Sequence, residues 1–303
     1  MNRYMKTGAA IALIAVVTAG ATWVPRWGYR GHELTGYAAA TNLPKAMPEF
    51  FREARKQLEY LNPEPDRWRL PDSIAQEMNR AFSNDHYVDL EVLSPYVLEA
   101  RDRWEYLKRA QASGVKDARD AGFVQYRILE LYQRLEREFG LWRVERNKDR
   151  RELIEERILN DAGLLGHYVA DAANPHHTTV HHDRWAAGYP NPNNYTTERG
   201  FHSRFESVFV ENNIRNSDVL PLVRREPREI SDVRAGVMQY IQTSHALVPR
   251  LYDLDKQQAF TADNKSEVHK AFAVGRLVAG ADMLRDLWWT AWVHSAETAK
   301  GTN

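Results

Sequence analysis

Hydrophobic positions along the chain recur at helical spacing. Val124, Ile128, Leu131, Leu135 and Phe139 lie three or four apart and predict a helix that stops at Gly140. Phe50, Phe51, Ala54, Leu58 and Leu61 predict another, entered by Pro48 and left at Pro63. Ser94-Pro95 reads as a cap and first-turn proline, opening a helix with Val97, Ala100, Trp104 and Leu107 on one face. Leu277, Ala281, Leu284, Trp288 and Ala291 mark a long stripe near the C-terminus. Alternation of period two between hairpin turns is missing, no fixed-period repeat stands out, and no Gly-rich linker divides the chain. The expectation is one all-α, multi-helix domain over residues 22–303.

Two segments depart from amphipathic patterning. At the N-terminus, Arg3 and Lys6 precede a run of small and apolar residues from Thr7 to Ala21 that closes on Ala19-Gly20-Ala21. A basic start, a short apolar stretch and small residues at −3 and −1 describe a signal peptide over residues 1–21, with an uncleaved anchor as the alternative. The run is shorter than the roughly 20 residues that span a bilayer. An exported protein, periplasmic or secreted, is expected. The second segment is a helix from Glu152 that is amphipathic to Asn160 and then apolar all round from Ala162 to Ala173, as a central buried helix is. Its only readily charged side chains in that stretch are His167 and Asp171, four apart and on one face. Burying a carboxylate and an imidazole costs several kcal/mol, roughly, unless they pair or hold a metal.

Composition narrows the chemistry. The chain has 303 residues, with 43% hydrophobic and 27% charged, which excludes disordered and collagen-like classes. Lys+Arg and Asp+Glu are both 41, so no global field steers polyanions, and any nucleic-acid or anionic-membrane contact must be local. The segment 143–157 mixes basic and acidic residues and reads as a solvated face. Cysteine is absent, which removes disulfides, thiolate metal sites and a Cys nucleophile.

Histidine is where the sequence becomes specific. Of 11 histidines, six fall between His167 and His202. Asn174-Pro175 ends the central helix, so His176, His177, His181 and His182 sit on the loop beyond it. After a Gly/Pro/Asn-rich stretch comes a second i, i+4 pair, His202 and Glu206. Two helical imidazole–carboxylate pairs joined by a His-rich loop point to a multinuclear metal site, with zinc the best match to nitrogen and carboxylate donors, ahead of manganese or iron. A surface chelating loop is the plainer alternative. His176, His181 and His182 are expected to flank the site, and His245, His269 and His294 to be ordinary core or surface residues.

These strings resemble a known family. HYVADAANPHH (His167 to His177) is similar to the HxxxDxxxPxH signature of the zinc-dependent phospholipase C and single-strand-specific nuclease superfamily. Trp27-Gly28-Tyr29-Arg30-Gly31-His32 resembles the WGxxGH start of its nuclease branch. Arg69-Leu70-Pro71-Asp72, followed by Asp85-His86-Tyr87-Val88-Asp89, resembles its Asp ligand and HY[IV]D segment. GFHSRFE (Gly200 to Glu206) resembles the phospholipase C branch, where the last ligand is Glu, and GRLVAGADMLRDLWW resembles the closing helix. The similarity runs from Trp27 to about Trp292, in the family's order.

The resemblance implies a trinuclear zinc cleft. Asp72, His86, His167 and Asp171 would hold the first ion, and His177, His202 and Glu206 the second. His32, a bridging Asp171 and backbone atoms of Trp27 would hold the third. Metal-activated water would attack a phosphate ester, with Asp72 doubling as general base. Cleavage after Ala21 would leave Trp27 sixth in the mature chain, able to offer only its carbonyl. The nuclease branch often carries Arg shortly after its Asp ligand, and here Ser73-Ile74-Ala75 follows. The leading expectation is therefore a phospholipase C-type phosphodiesterase acting on a phospholipid, with no stable protein partner. A single-strand nuclease or nucleotidase is the alternative, and a non-catalytic zinc-binding helical module a further one. The adjacent His182-Asp183 pair suggests a different helical phosphohydrolase class, but it lies in a loop. Trp288, Trp289 and Trp292 read as core or as a membrane-facing patch.

Overall fold

A computed structural model describes residues 28–301, apart from the side chain of Asp72. Among these residues the chain is mostly helical and contains no strand. In chain order the helices are α1 (Tyr29–Ala39), α2 (Glu49–Glu53), α3 (Arg55–Leu61), α4 (Glu64–Arg67), α5 (Asp72–Phe82), α6 (Pro95–Leu98) and α7 (Arg103–Ala112). The long α8 (Val124–Val144) and α9 (Lys148–Ala173) follow. Then come α10 (Phe201–Ser203), α11 (Val210–Asn213), α12 (Asn216–Val219), α13 (Val233–His245), α14 (Val248–Gln257) and α15 (Glu267–Lys300). The all-α expectation holds for this region. The signal-peptide segment 1–21 and Trp27 lie outside the described residues. No described helix is long and apolar enough to cross a membrane.

The frame is a trio of long helices, with α8 packed along both α15 and α9, and α1 and α3 laid across the remaining faces of α9 and α15. The apolar half of α9 is buried throughout from Asp161 to Ala173. Its small residues decide what can approach. A Cβ on Gly163 would come within 2.3 Å of Leu61 Cβ, and one on Gly166 within 2.4 Å of Asn62 Nδ2. The end of α3 therefore lies directly on α9. The stripe of α15 is core, as its period predicts, with Leu277, Ala281, Leu284, Trp288 and Ala291 all buried. Trp289 and Trp292 pack against the same core, so the three tryptophans form no outward patch.

Three helix boundaries differ from the sequence expectation. Helix α8 runs through Gly140, because a Cβ there would lie 2.5 Å from Thr298 Oγ1; the glycine admits α15 and does not stop α8. The helix expected from Pro48 to Pro63 breaks at Ala54 (ψ 16°) into α2 and α3. The one opened by Ser94-Pro95 ends after a single turn, and α7 restarts with Asp102 accepting from Trp104 N and Glu105 N at 2.8 Å each. That restart rotates the face, leaving Trp104 80% exposed.

One turn ties the fold to the site. Gly122 has φ +85°, and a Cβ there would lie 2.1 Å from the Tyr87 carbonyl oxygen. Around it Asp89 N bonds Ala121 O (2.8 Å), Phe123 N bonds Asn84 O (2.7 Å) and Val124 N bonds Tyr87 O (3.1 Å). These bonds stitch residues 84–89 to the start of α8. Gly114 has a similar φ (+81°) with nothing within 4 Å. Gly122→Ala is expected to lower unfolding free energy by about 2–4 kcal/mol, combining backbone strain with the clash. Gly114→Ala, with strain alone, is expected to cost about 1–2 kcal/mol. Urea unfolding measures both, and equal losses would refute the role assigned to the close approach.

Candidate metal centre

Seven elements converge on one cluster of side chains. Helix α9 presents His167 and Asp171 from the face its periodicity defines, and α1 presents His32. Asp66 comes from α4, the single turn after α3, and His86 from the 3-10 turn Ser83–His86. Beyond α9, the Asn174 side chain accepts from His176 N (3.1 Å) and caps the turn Pro175–Thr178, which folds His177 back over the helix end. His202 and Glu206 span α10 and the π-helical turn Arg204–Phe209. The sequence predicts α-helical spacing there; the wider turn still leaves His202 Nε2 2.7 Å from Glu206 Oε2.

Donor atoms face one another at short range. His167 Nε2 lies 3.0 Å from His86 Nδ1 and 3.2 Å from Asp171 Oδ2. Asp171 also meets His86 Nδ1 at 3.0 Å and His32 Nε2 at 3.5 Å. Asp66 lies 4.0 Å from the Nε2 atoms of both His32 and His167. On the other side, His177 Nε2 is 3.1 Å from His202 Nε2 and 3.5 Å from Glu206 Oε2. Three groups of ligand-capable atoms result: His32, His167 and Asp171; Asp66, His86 and His167; His177, His202 and Glu206. All of them except His32 and His167, which are buried behind the others, line one side of a cleft of about 570 Å³ whose other walls include Arg69, Tyr87, Asp89, Asp120, His182 and Asp183.

Hydrogen bonding behind the rings fixes what they offer. His167 Nδ1 donates to the Asn62 carbonyl (2.9 Å) and His177 Nδ1 to the His86 carbonyl (2.7 Å). A carbonyl only accepts, so both rings carry a proton on Nδ1, which leaves Nε2 as the atom that can bind a cation, in His177 once its second proton is displaced. Imidazole nitrogens 3.0–3.1 Å apart, beside carboxylates, must share a proton or a cation. Donors of a tetrahedral site with bonds of about 2.0–2.1 Å are separated by about 3.3 Å. The three groups therefore fit several metal ions.

The electrostatics agree with that donor set. Burial, reinforced by His167, holds His32 well below its usual range, and burial takes His86 down to about 3, so both rings are neutral. Burial would raise Asp171, but His167 and His177 pull it well below the carboxylate range. Glu206 is likewise pulled down against its burial by His202 and His177. Asp66, which burial raises, resists ionising beside Asp171. His177 moves the other way: burial lowers it, but Asp171 and Glu206 outweigh burial and push it up to about 9.

Of the residues expected from the sequence, His32, His86, His167, Asp171, His177, His202 and Glu206 all belong to the three donor groups, and all but the fully buried His32 and His167 line the cleft. The side chain of Asp72 and all of Trp27 lie outside the described residues. The carboxylate found with His86 and His167 is Asp66, which sequence reading passed over. A signal for it exists, since Asp66 is followed by Arg67 and Arg69, and Arg69 is the cleft's arginine. His176 and His182 line the cleft outside the donor groups, as expected of flanking residues. His181 stacks on Trp185 at 3.8 Å. His269 bonds the Leu254 carbonyl, and His245 and His294 also lie outside the three groups. His182-Asp183 sits at the cleft wall, where Asp183 accepts from Gly200 N (2.9 Å) and braces the start of α10. No family model matches the chain, and no curated protein or solved structure matches it.

Because metal-free His177 holds its proton until about pH 9, a cation must displace that proton at pH 7.5. Calorimetric titration of the chelator-treated protein with a divalent metal, in buffers of different ionisation enthalpy, is expected to show at least one proton released per chain. Affinity at the His177, His202 and Glu206 group should rise with pH up to about 9 and then level off. Metal uptake without proton release at pH 7.5 would refute this account.

Proposed function

We propose that the chain is an exported, zinc-dependent phosphoester hydrolase of the phospholipase C type. The observation that carries this reading is a set of three adjoining donor groups on the floor of an open cleft, with a guanidinium at its wall. A purely structural metal site is closed by its ligands, whereas this one opens onto a volume of about 570 Å³. Zinc ions held there would supply an activated water and Lewis acidity toward phosphate oxygens. These groups are compatible with several ions; the two that contain His167 compete for its one Nε2 lone pair, so the carboxylate of Asp171, which meets both His32 and His86, is the donor that would bridge neighbouring ions.

The chain's own residues account for the rest. Arg69, 3.5 Å from Asp66, stands where it can accept a phosphate oxygen into its fork. Asp66 is the carboxylate that faces both Arg69 and the His32–His167 pair, and is placed for the proton-accepting role that the sequence assigns to Asp72, whose side chain lies outside the described residues. Asp89, Asp120 and Asp183 place carboxylates on the remaining wall. A strand with phosphates on both sides of the scissile one would meet these charges, so a single phosphodiester with an uncharged or cationic leaving group suits the cleft better. Glu206 in the last donor position is the feature shared with the phospholipase C branch.

One observation favours the second reading, a zinc-dependent single-strand nuclease or nucleotidase. The arginine expected after the nuclease-branch Asp is absent after Asp72, but Arg69 stands three residues after Asp66 and lines the cleft.

Zinc-loaded mature protein is expected to hydrolyse phosphatidylcholine vesicles with a kcat/KM at least about tenfold above that for single-stranded DNA, a barrier difference of about 1.4 kcal/mol. His167→Ala should abolish turnover, and Arg69→Ala should lower kcat/KM by about 10²-fold, as loss of a transition-state donor does. The reverse substrate preference would select the nuclease reading. Full metal occupancy without hydrolysis of either substrate would leave a zinc-binding module.

A further inference from the structure

We infer that Asn62 is the positioning residue of the His32–His167 side of the centre, fixing which ring nitrogen of each histidine carries the proton. The inference rests on the reading of the cluster as a metal centre. Asn62 is fully buried at the C-terminal end of α3, between α1 and α9. Its backbone carbonyl accepts from His167 Nδ1 at 2.9 Å, and its side-chain oxygen accepts from His32 Nδ1 at 3.1 Å. The two rings stack with centroids 4.0 Å apart and planes 15° from parallel, so one residue backs both from the same side. Four residues later, Asp66 faces both Nε2 atoms at 4.0 Å. The turn from Asn62 to Asp66 thus grips the imidazole pair at both ends. Asp66 N bonds the Pro63 carbonyl (3.2 Å), tightening the turn and leaving the Asn62 carbonyl to His167.

The orientation of the amide decides the chemistry. With its oxygen toward His32, the ring proton stays on Nδ1 and Nε2 keeps its lone pair. With its nitrogen toward His32, Nδ2 would donate to Nδ1, the proton would move to Nε2, and His32 could not bind a metal through that atom. Asn62 Nδ2 is buried without a hydrogen-bond partner. Leaving a buried donor unsatisfied costs about 1–3 kcal/mol, which an apolar side chain would avoid. The cost is offset only where the oxygen is needed. The site also admits nothing larger behind the amide: a Cβ at Gly166 would lie 2.4 Å from Nδ2, and one at Gly36 3.0 Å from it. Both glycines leave the space that Asn62 fills.

The two arms separate by mutation, because one acceptor is side chain and the other main chain. Long-range ¹H–¹⁵N NMR of the metal-free wild type at pH 7.5 is expected to find both His32 and His167 protonated on Nδ1. In Asn62→Ala, His167 should keep that tautomer while His32 loses it. Zinc titration should then show the His32 group weakened about 10–100-fold, the usual loss on removing a ligand's hydrogen-bond partner. The His177, His202 and Glu206 group, which Asn62 does not touch, should bind as before. Asn62→Asp, which retains an acceptor, should restore the His32 tautomer. A wild-type His32 protonated on Nε2, or an Asn62→Ala variant with unchanged tautomer and zinc affinity, would overturn the inference. Should Asn62→Ala fail to fold, the wild-type and Asn62→Asp spectra decide it. A wild type that takes up no zinc would defeat the metal reading, which the metal-free spectra do not depend on.

Discussion

Asp171 is the constraint around which the molecule is arranged. It is a carboxylate with 1% of its side chain exposed, and it faces His32, His86, His167 and His177. Removing such a charge from water is opposed by several kcal/mol, roughly, unless counter-charge meets it at short range. Each imidazole that faces it comes from a different part of the chain, apart from His167 on the same helix. Helix α9 must therefore be buried on every side where α1, α3 and α15 arrive, and its Gly163 and Gly166 make that approach possible. The apolar all-round stretch Ala162–Ala173 and the polar centre within it have the same cause. A helix that carries a charge into the core must be covered by everything that compensates it.

Long elements and the α9 half of the site were legible from sequence because they rest on local period. The stripes of α8, α9 and α15 each span several turns, and His167 with Asp171 on an otherwise apolar helix is a signal that needs no tertiary information. Short elements were not legible for the opposite reason. The break at Ala54 and the restart at Asp102 leave the apolar spacing of their segments almost unchanged, so periodicity reads through them. Gly140 shows the same limit: its meaning is that a Cβ there would lie 2.5 Å from Thr298 Oγ1, more than 150 residues away in sequence. Asp66 was passed over because Asp72 also precedes His86 and also follows an arginine. What aims Asp66 at two imidazoles is the turn between α3 and α4, which leaves no periodic mark in the sequence.

The histidine-rich loop shows how neighbours acquire unlike roles. His176 and His177 are adjacent, yet the Asn174 cap turns His177 toward His202 and Glu206 while His176 packs edge-on to Phe201 at 4.6 Å. His181 stacks on Trp185, against which Tyr252 packs at 5.2 Å. Counting histidines in this segment signals metal chemistry, but the division between donors and packing residues follows from one cap and one turn.

Arg69 links the donor set to the substrate in the proposed reading. In the metal-free molecule its guanidinium is held by Asp66 at 3.5 Å, and Asp66 is also the carboxylate that faces both His32 and His167. A cation held by Asp66, His86 and His167 would draw on the charge of Asp66 and weaken its hold on Arg69. The guanidinium is then available to a phosphate oxygen entering the cleft, beside the same cation. Metal occupancy and anion recognition would in that way be coupled through a single carboxylate. In the same reading the acidic wall of Asp89, Asp120 and Asp183 need not exclude a phosphate ester. Burial, with Glu91 and Asp120 adding to it, pushes Asp89 up to about 7, so part of that wall is uncharged near neutrality. In the proposed reading the floor of the cleft would supply attraction for one phosphate group, and the wall would discriminate among what is attached to it.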